Sequence, residues 1–96
     1  GLQVRQQFLN VTNGIALIKA QKQALTTSKS QLDSTVLGLE VGVRTEVDVL
    51  NAQQQFFSAR RDLAQAYYTY LLSRLRLKAE AGELDEVVLQ EISELL

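Results

Sequence analysis

The chain has 96 residues, a formal net charge of −1 and 46% apolar residues, with no Pro, Cys, Met, Trp or His. A chain this short forms at most one domain, and near-neutral charge gives no footprint for nucleic acid. The missing Cys and His exclude disulfides, thiol chemistry, the usual zinc sites and imidazole-based catalysis within the chain.

The first predicted element is a helix over residues 2–37. Val4, Val11, Ile18, Leu25, Leu32 and Leu39 recur every seven residues. Phe8, Ile15 and Val36 supply a companion position four residues later, which Lys22 and Lys29 occupy in the middle. A seven-residue repeat lies closer to 3.5 than to 3.6 residues per turn and predicts a coiled-coil-like seam. Gly14 inside this helix costs about 1 kcal/mol relative to Ala.

Residues 38–45 read as a turn, Gly38-Leu39-Glu40-Val41-Gly42-Val43-Arg44-Thr45, holding two of the five glycines. Gly38 and Gly42 reach positive φ without steric cost, so the chain can reverse here. Thr45 reads as the N-cap of the next helix, and Asp48 completes a Thr-x-x-Asp variant of the capping box. Gly38, Gly42, Thr45 and Asp48 therefore have structural roles. Arg44 stands in the turn with no acid at a fixed helical spacing. It reads either as a solvated turn arginine or as a planar five-donor contact group for a neighbouring chain.

The second helix is predicted over residues 46–80. Leu50, Phe57, Ala64 and Leu71 recur at seven, with Val47, Tyr68 and Leu75 as companions and Gln54 and Arg61 as interruptions. Glu46 and Asp48 in its first turn and Arg74, Arg76 and Lys78 near its end complement the helix dipole. Tyr67, Tyr68 and Tyr70 read as interhelical packing residues whose hydroxyls reach water. Gly82 is a candidate C′ residue, and Asp85 a cap for a short final helix over about 86–96. Glu80, Glu83, Asp85, Glu86, Glu91 and Glu94, without a base among them, read as a solvated acidic segment.

The expected fold is all-α: a long antiparallel coiled-coil-like hairpin over residues 1–80, with a loop and short terminal helix over 81–96. Helices of about 35 residues would each span about 50 Å. Leu9, Leu17, Ala24, Phe56, Ala66, Tyr67, Tyr70 and Leu72 lie off these stripes, so the hairpin is expected to pack sideways against neighbours as part of a helical wall. The capping roles account for the nearby carboxylates, and Gly38-x-x-x-Gly42 lacks the Lys-Ser/Thr of a phosphate loop. No catalytic group, cofactor site or metal site is expected, and no apolar run approaches the 18 residues of a membrane-spanning helix. A free coiled-coil scaffold, spacing or dimerising other modules, is the alternative that these patterns allow.

Residues 38–50, continuing through Glu46-Val47-Asp48-Val49-Leu50, resemble the signature of the TolC-like outer membrane efflux family, roughly Gly-aromatic-x-Val-Gly-x-Arg-Thr-x-x-Asp-Val-Leu. Weaker similarity extends through Val4-Arg5-Gln6, Lys22-Gln23-Ala24, Leu63-Ala64, Tyr68-x-Tyr70-Leu71 and Gly82-x-Leu84. The resemblance implies a homotrimeric channel for drugs, solutes or proteins, with an outer membrane β-barrel and a periplasmic α-helical tunnel. It implies that Val41, Gly42, Val43, Arg44 and Thr45 form the hairpin tip that docks a periplasmic adaptor protein, with an inner membrane pump supplying the energy. It assigns Arg44, Asp48 and Asn51 to the channel entrance. Leu39 departs from a frequent Tyr, and Asn51 stands where the best-known members carry a second acid, so a weaker acidic ring is expected. The chain lacks the β-strands of a whole channel and would be one periplasmic hairpin of a longer protein.

Overall fold

A computed structural model describes residues 1–95, with Glu83 and Leu84 described by their backbone alone. It contains α1, Leu2–Glu40, and α2, Glu46–Leu95, folded back on each other as one hairpin. The hairpin is a rod of 82 × 14 × 14 Å. No described helix is long and apolar enough to cross a membrane. The all-α, coiled-coil-like fold is the expected one.

Two boundaries differ from the sequence reading. First, α1 runs past Gly38 to Glu40, so the turn is shorter than residues 38–45. Second, α2 passes through Gly82 without a break, so no separate loop and terminal helix form within the described residues. Gly42 is the residue with positive φ among the described glycines; Gly82 does not adopt it. A glycine costs a helix interior about 1 kcal/mol but does not stop it, and no proline follows to enforce a stop. The last residue of the expected terminal helix, Leu96, lies outside the described residues.

The burial pattern identifies the seam. In α1, Val4, Val11, Ile18, Leu25, Leu32 and Leu39 turn inward as expected. Their inward companions come three residues later, at Gln7, Gly14, Gln21, Ser28 and Thr35. Phe8, Ile15 and Val36, expected to fill that role, are exposed.

In α2 the inward positions are Val49, Phe56, Leu63, Tyr70 and Leu77, alternating with Ala52, Ala59, Ala66 and Ser73. The expected stripe of Leu50, Phe57, Ala64 and Leu71 points outward, one residue along; Phe57 is 59% exposed and Ala66 only 3%. The two stripes share the seven-residue period, so periodicity alone does not choose between them. Small side chains at every second inward position let the helix axes approach closely. A Cβ added to Gly14 would lie 3.4 Å from Cδ1 of Tyr70, which places that ring directly over the glycine.

Two small hydroxyls of the seam are locally satisfied, whereas Oε2 of Glu80, at the corresponding register of α2, is buried without a hydrogen-bond partner among the described residues. The Ser28 hydroxyl donates to the Ala24 carbonyl at 2.7 Å, and that of Thr35 to Gln31 at 2.6 Å. These bonds to the carbonyl four residues back keep small hydroxyls compatible with a helix interior. Among the described residues no large side chain is fully buried. A two-helix rod has too little interior for one, so much of its apolar surface stays in water unless a neighbour covers it.

Candidate functional site: the hairpin tip

The turn is built by two interlocking caps. At the end of α1, Gly42 N–H donates to the Leu39 carbonyl at 3.1 Å and Val43 N–H to the Gly38 carbonyl at 2.8 Å. This pair of bonds around a residue with φ of 85° is a Schellman motif, with Gly42 at C′. Arg44 N–H also donates to the Gly38 carbonyl, at 3.1 Å.

The start of α2 is closed by the expected box. Asp48 N–H donates to the Thr45 Oγ1 at 3.2 Å, and Thr45 N–H donates to the Asp48 Oδ2 at 3.0 Å. The Thr45 backbone bond holds the Asp48 carboxyl below its ordinary value; the Thr45 hydroxyl and the charge of Arg44 add to this, while burial opposes it. An ionised acid in the first turn also complements the helix dipole.

Gly38 has a different role from the expected one. It stays helical, and a Cβ built on it would fall 2.5 Å from Cγ and 3.2 Å from Cβ of Arg44. Its missing side chain is the space through which the Arg44 stem passes. Gly42 supplies the left-handed backbone and Gly38 the clearance.

That clearance brings the three expected entrance residues together. Arg44, Asp48 and Asn51 line one groove of about 260 Å³ beside the tip. The groove is completed from α1 by Gln31, Ser34 and Thr35, and from α2 by Gln55. Gln31, Ser34 and Thr35 had no distinguishing signal in sequence, because only the pairing register places them across from the start of α2, whereas Gln55 lies one turn beyond Asn51 on the same helix. The groove therefore offers a guanidinium, a carboxylate, carboxamides and hydroxyls, a surface suited to polar contacts in water.

The apex is apolar by contrast. Val41 is 65% exposed and Val43 75% exposed, and Thr45 is also exposed. Leu39 is half-buried at the end of the seam. The tip thus separates two surfaces: valines at the summit, and the polar groove of Arg44, Asp48 and Asn51 on one flank. Among the described residues no His, Cys, Asp and Glu are grouped to hold a metal ion.

A family profile described as "Outer membrane efflux protein" matches residues 1–83. The chain is 42% identical over 83 residues to "Outer membrane protein TolC" of Escherichia coli (strain K12), covering 86% of this chain and 17% of that protein. It is 37% identical over 90 residues to the protein of the same name from Vibrio cholerae, covering 94% of this chain and 20% of that one. It is 33% identical over 91 residues to "Alkaline protease secretion protein AprF" of Pseudomonas aeruginosa, covering 95% of this chain and 19% of that protein. The chain thus spans about a fifth of the length of these relatives.

Proposed function

Because the chain belongs to the outer membrane efflux protein family, we propose that it is a periplasmic hairpin of a trimeric outer membrane channel, with its tip at the entrance. In this reading Val41, Gly42, Val43, Arg44 and Thr45 dock a periplasmic adaptor protein, which connects the channel to an inner membrane pump. Arg44, Asp48 and Asn51 form the polar entrance. The chain performs no catalysis of its own; it is wall and docking surface for the export of small molecules or proteins.

The observation that carries this reading is the apex. The turn is closed by backbone bonds, Gly42 and the Thr45–Asp48 box. None of these needs Val41 or Val43, yet both valines stand in water. Exposed apolar groups at the summit of a well-capped turn support a contact surface. The outward stripe of Leu50, Phe57 and Leu71 supports sideways packing in a wall. A free scaffold would need the seam alone and has no use for the tip.

The test is made in the full-length parent protein. Arg44→Ala and Gly42→Leu are each introduced, and both export and site-directed crosslinking of the tip to the adaptor are measured. Loss of crosslinking with normal amounts of channel in the membrane is expected. Unchanged export together with unchanged crosslinking would overturn the docking role.

A further inference from the structure

The small residues that face α1 from α2 form a ladder of period seven. Ala52, Ala59, Ala66 and Ser73 are its rungs, and all four are buried. The next rung is Glu80. It brings a long stem and a carboxyl to a position where the other rungs carry only a methyl or a hydroxymethyl group.

The register across the seam locates what Glu80 meets. Tyr70 lies over Gly14, and Ile18 and Ala66, one step nearer the tip, are both buried. Carried towards the open end, the same register sets Ser73 against Val11 and Glu80 against Val4. Both Val4 and Glu80 are half-buried. The carboxyl is thus set against a valine rather than a donor, and its Oε2 is buried with no hydrogen-bond partner among the described residues. The nearest cations are Arg76 one turn earlier, Lys78 two residues earlier and Arg5 beside Val4. All three side chains are exposed, and none donates to that oxygen.

Two costs meet at this rung. A carboxyl oxygen buried without a donor gives up its hydration and receives nothing in return. A long side chain at a position shaped for Ala overfills the gap between two close helices. Both costs disappear if the helices part locally, because the carboxyl then returns to water. The main-chain bonds run within each helix, so parting breaks none of them. What is lost is the cover over Val4 and Leu77, which are already half-exposed to water. The other end of the seam is the opposite case. There the ladder finishes on Ala52, and the turn is closed by Gly42 and the Thr45–Asp48 box. The hairpin is clamped at its tip and carries its least favourable inward residue at its open end.

We infer that Glu80 is a parting point built into the seam. It lets the first turn of α1 separate from residues 77–81 of α2 while the ladder from Ser73 to Ala52 stays closed. The two shafts can then follow different neighbours at the end away from the tip and leave the turn undisturbed. The inference does not depend on what the tip docks, and it is tested on this chain without an export assay.

The measurement is a pair of distances, read by pulsed electron paramagnetic resonance between spin labels on introduced cysteines, the sequence having none of its own. One pair is Gln3→Cys with Ala79→Cys, beside Glu80. The other is Leu17→Cys with Gln65→Cys, whose parent residues share one groove and repeat the same register two heptads nearer the tip. All four positions are exposed, so the labels leave the seam alone. The open-end pair should show a second, longer population, and the inner pair a single narrow one. Glu80→Ala should reduce the longer population about fivefold or more and raise the thermal midpoint. Glu80→Gln, which keeps the length of the side chain, should retain most of it. If Glu80 instead held the end closed through Arg5, Arg76 or Lys78, Glu80→Ala would enlarge the longer population, and that result would overturn the proposal. Equal breadth of the two pairs in the parent sequence, or no response to Glu80→Ala, would overturn it as well.

Discussion

Thr45 and Asp48 hold each other by two reciprocal hydrogen bonds, of 3.0 and 3.2 Å, at the point where the chain leaves the turn and enters α2. The box serves both ends of the site: it starts the helix, and it fixes the carboxylate that shares a groove with Arg44. Thr45→Ala should cost about 1 kcal/mol of stability in denaturant titration. The pH dependence has a defined sign. Asp48 is held below its ordinary value of 3.8, so its stabilising contribution is complete above that value and is lost as pH falls through the lowered one. Asp48→Asn should remove that acid limb from the stability profile of the tip.

Gly42 and Gly82 should respond oppositely to alanine. At Gly42 the backbone is left-handed, with φ of 85°, and Ala there should cost about 1–2 kcal/mol despite the open space around it. At Gly82 the chain is helical, with nothing within 4 Å of an added Cβ. Ala there should raise stability by up to about 1 kcal/mol. Thermal melts of the two variants check both signs; a destabilised Gly82→Ala would indicate that α2 breaks where the sequence suggested.

Gly38→Ala should displace Arg44 rather than unfold the turn. The added methyl would sit 2.5 Å from the Arg44 Cγ, and that stem must move away from the groove. Helicity should stay near that of the parent sequence. In nuclear magnetic resonance spectra of the hairpin, the Arg44 side-chain resonances should shift while the amides of Thr45 and Asp48 stay in place.

Asn51→Asp would add a second carboxylate to the groove beside Asp48. With residue 51 at the proposed entrance, this should strengthen block by multivalent cations in the full-length parent, read as reduced single-channel conductance. A parent channel already blocked as strongly as the Asp variant would contradict the entrance role of residue 51.

The seam itself can be tested by volume. Ala66→Leu should overpack the interior and cost about 1–3 kcal/mol. Phe57→Ser, on the outward stripe, should change the stability of the isolated hairpin by no more than about 0.5 kcal/mol. Denaturant midpoints of both variants decide which of the two seven-residue stripes in α2 is inside.

That pair of stripes shows where the sequence was readable. The seam of α1 was legible because Val4, Val11, Ile18, Leu25 and Leu32 form one large apolar row with polar companions. In α2 the bulky row of Leu50, Phe57 and Leu71 competed with a row whose every second member is Ala or Ser. Apolar size pointed to the wrong one: the inside of a close helix pair favours small residues, while the large ones of the other row stay exposed on the hairpin. The caps at Gly42, Thr45 and Asp48 were legible because each needs a particular residue type at a fixed spacing. The clearance at Gly38 was not, since it depends on where the Arg44 stem passes in three dimensions. The continuation of α2 through Gly82 was misread because a helix-stopping residue was present without the left-handed backbone that would have made it stop.

The 82 Å length of the rod makes the hairpin a lever. A tilt of about 5° at one end, if the helices stay paired, carries the other end about 7 Å sideways, more than the width of a side chain. The caps that make the turn rigid ensure that such a displacement arrives at Val41, Val43 and Arg44 as a movement of the whole tip. Small adjustments of packing far along the shafts can therefore change what the tip is able to touch.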